Sequence, residues 1–228
     1  MHTLKTELLK LAGLPSAWGA VLFGLTGPPL VALLNSRNPA AGGVGQGFME
    51  MAFGALSAII LGVVTVGSEY RTGQLATSLT CVPSRLRFLV SKGGALVLVV
   101  APLAVVTAVL TLTVSGSLNS AAVPRIGGGV VYWVLYSLLA FSITLLTRSG
   151  IVPLVVLMLN SSVVSVSYLL SRVFSAANYL PDLAGAHLVV RDMATSGSLD
   201  PLTGGLVMAG WVVALLAIAT VVFHRRDA

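Results

Sequence analysis

Long apolar stretches without charged residues alternate with short polar segments along the whole chain. Each apolar stretch is close to the length of about 20 residues that an α-helix needs to cross a bilayer. The predicted spans are residues 15–35, 51–68, 93–114, 126–147, 150–171 and 204–223. This pattern predicts an all-α integral membrane protein, with six transmembrane helices in a single domain.

The N-terminal residues 2–14 carry a different pattern, in which apolar and polar positions fall on separate helical faces. The apolar face has Leu4, Leu8 and Leu11, and the polar face has Thr3, Glu7 and Lys10. This arrangement predicts an amphipathic helix that lies in the membrane interface. A signal peptide is the alternative, because Lys5 and Lys10 precede an apolar run. That run has the length of a span, which favours the interfacial helix.

Two local signals refine the spans. Gly27, Pro28 and Pro29 lie inside the first span and should kink it, so that neighbouring helices must satisfy the carbonyl groups that the prolines leave free. The third span should end near Val114, because the residues that follow, 115–120, are typical of a loop. A second loop, residues 172–202, should lie on the outer side.

Charge indicates the orientation of the chain. The sequence is 56% hydrophobic and only 9% charged, whereas a soluble domain has about 25% charged residues. Its net charge of +6 would suggest nucleic-acid binding in a soluble protein, but here nine of the 13 Lys and Arg residues lie on the side that holds both termini. Lys and Arg favour the cytoplasmic side. We therefore expect a multi-pass plasma-membrane protein, bacterial by composition, with both termini in the cytoplasm and no nucleic-acid partner.

The polar segment between the second and third spans, residues 69–92, is the longest one on the predicted cytoplasmic side. Leu75 and Leu79 lie on one face of a short amphipathic helix, near residues 72–80. Gly73 allows a turn before this helix, and Pro83 either ends it or opens the next one. The segment therefore predicts a polar elbow and a short helix along the membrane surface.

Several kinds of chemistry have no sequence support. The chain has no Gly-Lys pair, which a phosphate-binding loop needs, and no HExxH or CxxC motif. Its single Cys81 has no histidine nearby in the sequence, and no ionisable residue is predicted deep in a span. These observations argue against an enzyme, a metal site and a proton relay within this chain.

The elbow resembles the coupling segment of ABC transporter type-2 permeases. The matching residues are Glu69-Tyr70-Arg71-Thr72-Gly73, then Leu75, Thr77 and Leu79, then Pro83-Ser84-Arg85, and Lys92. This chain has Gly73-Gln74 where the family more often has Gly-Thr. The resemblance extends to the predicted topology of an interfacial helix followed by six spans.

The resemblance implies a permease subunit of an ATP-driven exporter. Its coupling helix, between spans two and three, would dock on a separate ABC ATP-binding subunit that binds ATP and Mg²⁺, so this chain itself would need no cofactor. Besides membrane lipid, the other partner would be a second copy of the permease or a related one. The coupling residues would be Glu69, Tyr70, Arg71, Thr72, Gly73, Gln74, Leu75, Leu79, Pro83 and Arg85. Glu69 should take a cation partner from Arg71, Arg85 or the N-terminal helix, because it lies near a helix C-terminus.

A weaker pattern concerns a substrate path. The resemblance implies that spans two and five line it, and the candidate residues are Ser57, Thr65, Asn160, Ser161, Ser165 and Tyr168. Helix packing is the simpler role for any one of these side chains, because Ser, Thr and Asn commonly bridge transmembrane helices. The alternative function for the whole chain is a self-sufficient channel or an ion-coupled carrier.

Overall fold

The computed structural model describes residues 2–36, 46–73, 84–119, 122–161, 166–190 and 199–225. Its α-helices are α1 His2–Ala12, α2 Pro15–Ser36, α3 Gln46–Thr72, α4 Arg85–Val114, α5 Val123–Thr147, α6 Ile151–Ser161, α7 Val166–Ser171, α8 Pro181–Ala186 and α9 Pro201–Arg225. A 3-10 helix, Ser175–Tyr179, lies between α7 and α8. The described part of the chain contains no strand, which confirms the predicted all-α class.

Five of the described helices, α2, α3, α4, α5 and α9, are long and apolar enough to cross a membrane. The predicted fifth span, residues 150–171, corresponds to the shorter helices α6 and α7. Residues 162–165 between them lie outside the described part of the chain. A sixth membrane-crossing helix therefore stays a prediction.

The second and third spans are longer than predicted, and the elbow between them is correspondingly shorter. Helix α3 continues to Thr72, and α4 already begins at Arg85. Glu69 and Lys92 are therefore inside helices, where pairing with opposite charges allows helical structure to continue. Gly73 has a positive φ of 67°, which confirms the predicted turn after α3. The Ser84 side chain caps α4 by accepting a hydrogen bond from the Arg87 backbone N–H at 3.4 Å.

Helix α3 lies at the centre of the bundle and packs against α2, α4, α5 and α6. Glycine allows its closest contact, because a Cβ atom at Gly62 would overlap the carbonyl oxygen of Ser137 on α5. Gly54 makes a similar approach to Pro28 and Trp133. Small residues of this kind let transmembrane helices approach closely.

The two prolines of α2 remain inside the helix. Pro28 has no N–H to donate to the carbonyl oxygen of Gly24, four residues earlier. The Thr107 hydroxyl, on α4, donates to this carbonyl at 3.0 Å. A neighbouring helix thus satisfies the carbonyl group freed by Pro28, as predicted, whereas the kink stays a prediction. The predicted end of the third span is also correct, since α4 ends at Val114.

The predicted loop 172–202 is partly helical and packs against the bundle. Helix α8 buries Leu183 and Ala184 and contacts α9, where Gly204 approaches the carbonyl oxygen of Ala184. Trp211 of α9 donates its indole N–H to the carbonyl oxygen of Tyr179 at 2.9 Å. These contacts fix the start of α9 against the preceding segment.

Candidate functional site

The most polar part of the interior lies where α1 meets the C-terminal end of α3 and the N-terminal part of α4. Lys92 of α4 is at its centre and is only 1% exposed. Its Nζ donates to Glu7 Oε2 at 2.6 Å, to Glu69 Oε1 at 2.9 Å and to the carbonyl oxygen of Thr65 at 3.2 Å. One ammonium group therefore joins three helices.

Lys10 supplies a second cation from α1. Its Nζ donates to Glu7 Oε1 at 3.1 Å and to Glu69 Oε1 at 2.9 Å. Burial lowers the pKa of Lys10, but hydrogen bonds and the charges of Glu69 and Glu7 more than offset this, so its pKa lies above the ordinary value of 10.5. Glu7, Lys10, Glu69 and Lys92 are called the ion cluster below.

The ion cluster is balanced, with two carboxylates and two ammonium groups. Glu7 and Glu69 are 7% and 3% exposed, so both carboxylates have lost most of their contact with solvent. Buried charges are tolerated when they are paired and hydrogen-bonded, and removing one partner is strongly destabilising. The cluster therefore holds α1 in one position against the ends of α3 and α4.

Aromatic contacts continue from the ion cluster to the C-terminal end of the last helix. Lys92 Nζ lies 5.0 Å from the ring centroid of Phe88, and the Phe88 ring stacks on Phe223 with centroids 6.1 Å apart. The guanidinium of Arg85 lies 5.9 Å from the Phe223 centroid and donates to the carbonyl oxygens of Phe223 and His224 at 2.7 and 3.2 Å. Arg85 thus caps α9 electrostatically, since cations are favourable at a helix C-terminus.

A small cavity of about 160 Å³ adjoins the ion cluster. Its walls combine the four charged residues with Leu11, Gly13, Leu14, Thr65 and Ser68. The cavity is therefore lined by both charged groups and leucine side chains.

The structure confirms one of the alternative partners expected for Glu69. Glu69 binds Lys10 of the N-terminal helix, which was among the expected partners, whereas Arg85 contacts the end of α9. Tyr70 is half-buried beside the core, and Arg71 and Thr72 are the last residues of α3. Gln74, Leu75, Leu79 and Pro83 lie outside the described residues, and so does the predicted coupling helix.

The candidate residues of the substrate path occupy different environments. Ser57 and Thr65 are buried on α3 and donate to carbonyl oxygens of their own helix, at 2.9 Å and 2.7 Å. Asn160 is half-buried near the end of α6, and Tyr168 on α7 accepts a hydrogen bond from Arg172 at 2.6 Å. Ser161 ends α6, and Ser165 lies outside the described residues. A shared path for these side chains stays a prediction.

Sequence reasoning missed the roles of Glu7 and Lys92. Glu7 was assigned to the polar face of α1, yet it is buried beside Leu11. Lys92 was placed before the third span, but it lies about two turns inside α4. The expectation that no ionisable residue lies deep in a span is not contradicted, because Lys92 is near the start of its helix. The signal available in the sequence was a pair of opposite charges beside neighbouring apolar runs. Such a pair suggests an ion pair but does not identify the residues that form it.

Two further polar groups are buried away from the ion cluster. Glu50, at the start of the apolar part of α3, accepts a hydrogen bond from Asn35 at 2.9 Å. Around α8, Asp182 lies close enough to Tyr132 and Tyr136 to interact electrostatically, and those two rings make an edge contact with centroids 5.1 Å apart.

Among the described residues, no three His, Cys, Asp or Glu side chains group as metal ligands.

Comparisons with known proteins add no family assignment. No protein-family model matches the chain, and a search of curated proteins found no match. Any conclusion about function therefore depends on the residues and their contacts.

Proposed function

We propose that this chain is the transmembrane permease subunit of an ATP-driven ABC exporter. It works with a second copy or a related permease, and with separate subunits that bind ATP and Mg²⁺. Its cargo would be a drug, an antibiotic peptide or a lipid-like molecule. The observation that carries the proposal is the ion cluster, because it anchors both helices that flank residues 74–83 to the N-terminal helix.

Anchoring matters because a movement at an ATPase reaches the spans only through a connection that does not bend. Glu69 is close to the end of α3, and Lys92 is close to the start of α4. Their contact at 2.9 Å keeps the two helix ends together. A displacement of the intervening segment would then move α3 and α4 as one unit, as in a rigid-body transition.

The remaining coupling residues follow from the resemblance. Leu75 and Leu79 would be apolar anchors in a cleft of the ATPase. Glu69 and Arg71 would hold the turn at Gly73, and Arg85 would carry the movement to α9 through its contacts with Phe223. Membrane lipid surrounds the apolar helices, and both termini face the cytoplasm in this proposal.

The alternative is a self-sufficient channel or an ion-coupled carrier, and one observation favours it. Ionisable residues inside membrane helices commonly mark ion pathways, and Lys92 is such a residue. However, the ion cluster lies at the helix ends and its charges are paired with each other. This arrangement favours a structural anchor over a transport pathway.

Co-isolation tests the proposal. The full chain, expressed in its native host and isolated in mild detergent, should retain a bound ATPase subunit. A variant with both Leu75→Asp and Leu79→Asp should lose this subunit, because charge is costly in an apolar pocket. The proposal is wrong if the wild-type chain retains no ATPase and conducts ions alone in liposomes.

A further inference from the structure

The cavity beside the ion cluster lies at the depth of lipid headgroups if the long helices span a membrane. Helix α1 has only 11 residues and leaves Leu9 64% exposed, as expected of a helix that lies in the interface. Trp18, at the start of α2, is also exposed and donates its indole N–H to the carbonyl oxygen of Ala12 at 2.8 Å. Tryptophan is enriched at this depth.

The charges of the ion cluster are unequally buried. The side chains of Glu7, Glu69 and Lys92 are only 9%, 5% and 2% exposed. The Lys10 side chain is 39% exposed and reaches the carboxylates from the rim. The buried part of the cluster therefore holds two carboxylates and one ammonium group, and its second ammonium group comes from the surface.

The position of the Lys10 ammonium is defined by buried carboxylate oxygens. Glu7 Oε1 and Glu69 Oε1 accept its hydrogen bonds at 3.1 and 2.9 Å. Lys92 also binds both carboxylates, at Glu7 Oε2 and at the same Oε1 atom of Glu69. Another primary ammonium group at the same position would donate the same two hydrogen bonds and experience the same electrostatic attraction.

We propose that this cavity binds the primary ammonium group of an ethanolamine phospholipid, in place of the Lys10 ammonium. Leu11 and Leu14 form the apolar wall along which the lipid would enter. The lipid phosphate stays at the mouth, where the displaced Lys10 can contact it. The two buried carboxylates disfavour an anionic headgroup, and a choline headgroup has no N–H to donate.

This inference does not depend on the proposed exporter function. It requires only that the long apolar helices lie in a bilayer, and it can be tested on the purified chain without ATP or an ATPase. If the chain shows no preference for the ethanolamine lipid, the co-isolation test is unaffected. If no ATPase is co-isolated, the proposed lipid site is unaffected.

Lipids that differ only in methylation of the headgroup nitrogen provide the sharpest test. The full chain in detergent is titrated with ethanolamine, N-methyl, N,N-dimethyl and choline lipids of identical acyl chains, and bound lipid is counted by native mass spectrometry. Affinity should fall along this series by about tenfold or more in total, since charge-assisted hydrogen bonds are lost while the charge is kept. Equal affinity across the series would overturn the proposal.

Variants locate the site. Glu69→Gln and Glu7→Gln should each abolish the preference for ethanolamine over choline, whereas Glu50→Gln, a buried glutamate outside the cavity, should retain it. Lys10→Gln should bind the ethanolamine lipid at least as tightly as wild type, because the competing ammonium is gone. An unchanged preference in Glu69→Gln would contradict the proposal, and so would displacement of the lipid by soluble phosphoethanolamine at equal concentration. If the glutamate variants do not fold, the methylation series on the wild-type chain decides.

Discussion

Lys92 is the residue on which the ion cluster depends, because its ammonium contacts both carboxylates. Without it, Glu7 and Glu69 would lose the most deeply buried cation of the ion cluster. We expect Lys92→Met to lower the free energy of unfolding by about 3–5 kcal/mol, the usual cost of breaking a buried ion pair from one side. Denaturation in mixed detergent micelles measures this change.

Arg87 provides the control for this prediction, since it is an exposed cation on the same helix. Arg87→Met should change the unfolding free energy by no more than about 0.5 kcal/mol. A Lys92→Met variant as stable as Arg87→Met would show that the ion cluster does not hold the three helices together.

His187 makes stability depend on pH. It is buried at the end of α8, and burial lowers the pKa of its imidazole below the ordinary value of 6.5. Between the folded and unfolded pKa values the unfolded chain binds more protons, so this residue's contribution to stability is present above about pH 6.5 and is lost as the pH falls. Between about pH 7.5 and about pH 5, the Tm of wild type should therefore fall more than the Tm of His187→Phe. An equal change in Tm with pH for wild type and His187→Phe would contradict this role of His187.

The sequence predicted that Glu69 is special, but not the complete group around it. Its position at a helix C-terminus implied a cation partner, and Lys10 confirms this. Glu7 was misplaced because helical periodicity assigns charged residues to the solvent side. Glu7 and Lys92 are 85 positions apart in the chain, and their contact depends on how the helices assemble.

At the scale of helices, the link between Thr107 and the proline pair of α2 can be measured. Thr107→Val removes the hydrogen bond to the Gly24 carbonyl, which Pro28 leaves without its usual donor. We expect a loss of about 1 kcal/mol in the free energy of unfolding, within the range measured for hydrogen bonds between membrane helices. In a Pro28→Ala background the loss should be smaller, because the helix regains its own donor.

Thr111 is a matched control for this cycle. Its hydroxyl donates to the carbonyl oxygen of Thr107 within α4, at 2.7 Å. Thr111→Val should therefore change the free energy of unfolding by the same amount whether residue 28 is proline or alanine. If the effect of Thr111→Val on unfolding depended on Pro28 as much as the effect of Thr107→Val does, the Thr107 contact would not be specific.

Helix existence was predictable from apolar length, and turn chemistry located Gly73 and Val114 correctly. The ends of α3 and α4 were not predictable in the same way, because charged residues were taken as the membrane boundary. Glu69 pairs with Lys92, so both charges are accommodated inside helices that continue past the predicted boundary. The sequence pattern along a single helix does not show such contacts between helices.

At the scale of the whole molecule, helix α1, the end of α3, the start of α4 and the end of α9 lie together at one end of the bundle. Lys10 joins α1 to Glu69, and Arg85 joins α4 to the end of α9. With the orientation predicted from charge, this end faces the cytoplasm. Membrane-impermeant thiol labelling from outside should modify a Ser198→Cys variant and leave the native Cys81 unmodified. The reverse pattern would invert the orientation.

In the proposed exporter, the ion cluster couples an ATPase subunit to the spans. ATP hydrolysis by the isolated complex in proteoliposomes, compared with its ATPase subunit alone, tests it most directly. We predict that Glu69→Gln assembles and binds ATP but loses the permease-dependent part of hydrolysis, whereas Glu50→Gln hydrolyses ATP as wild type does. Wild-type hydrolysis in an assembled Glu69→Gln complex would contradict the account.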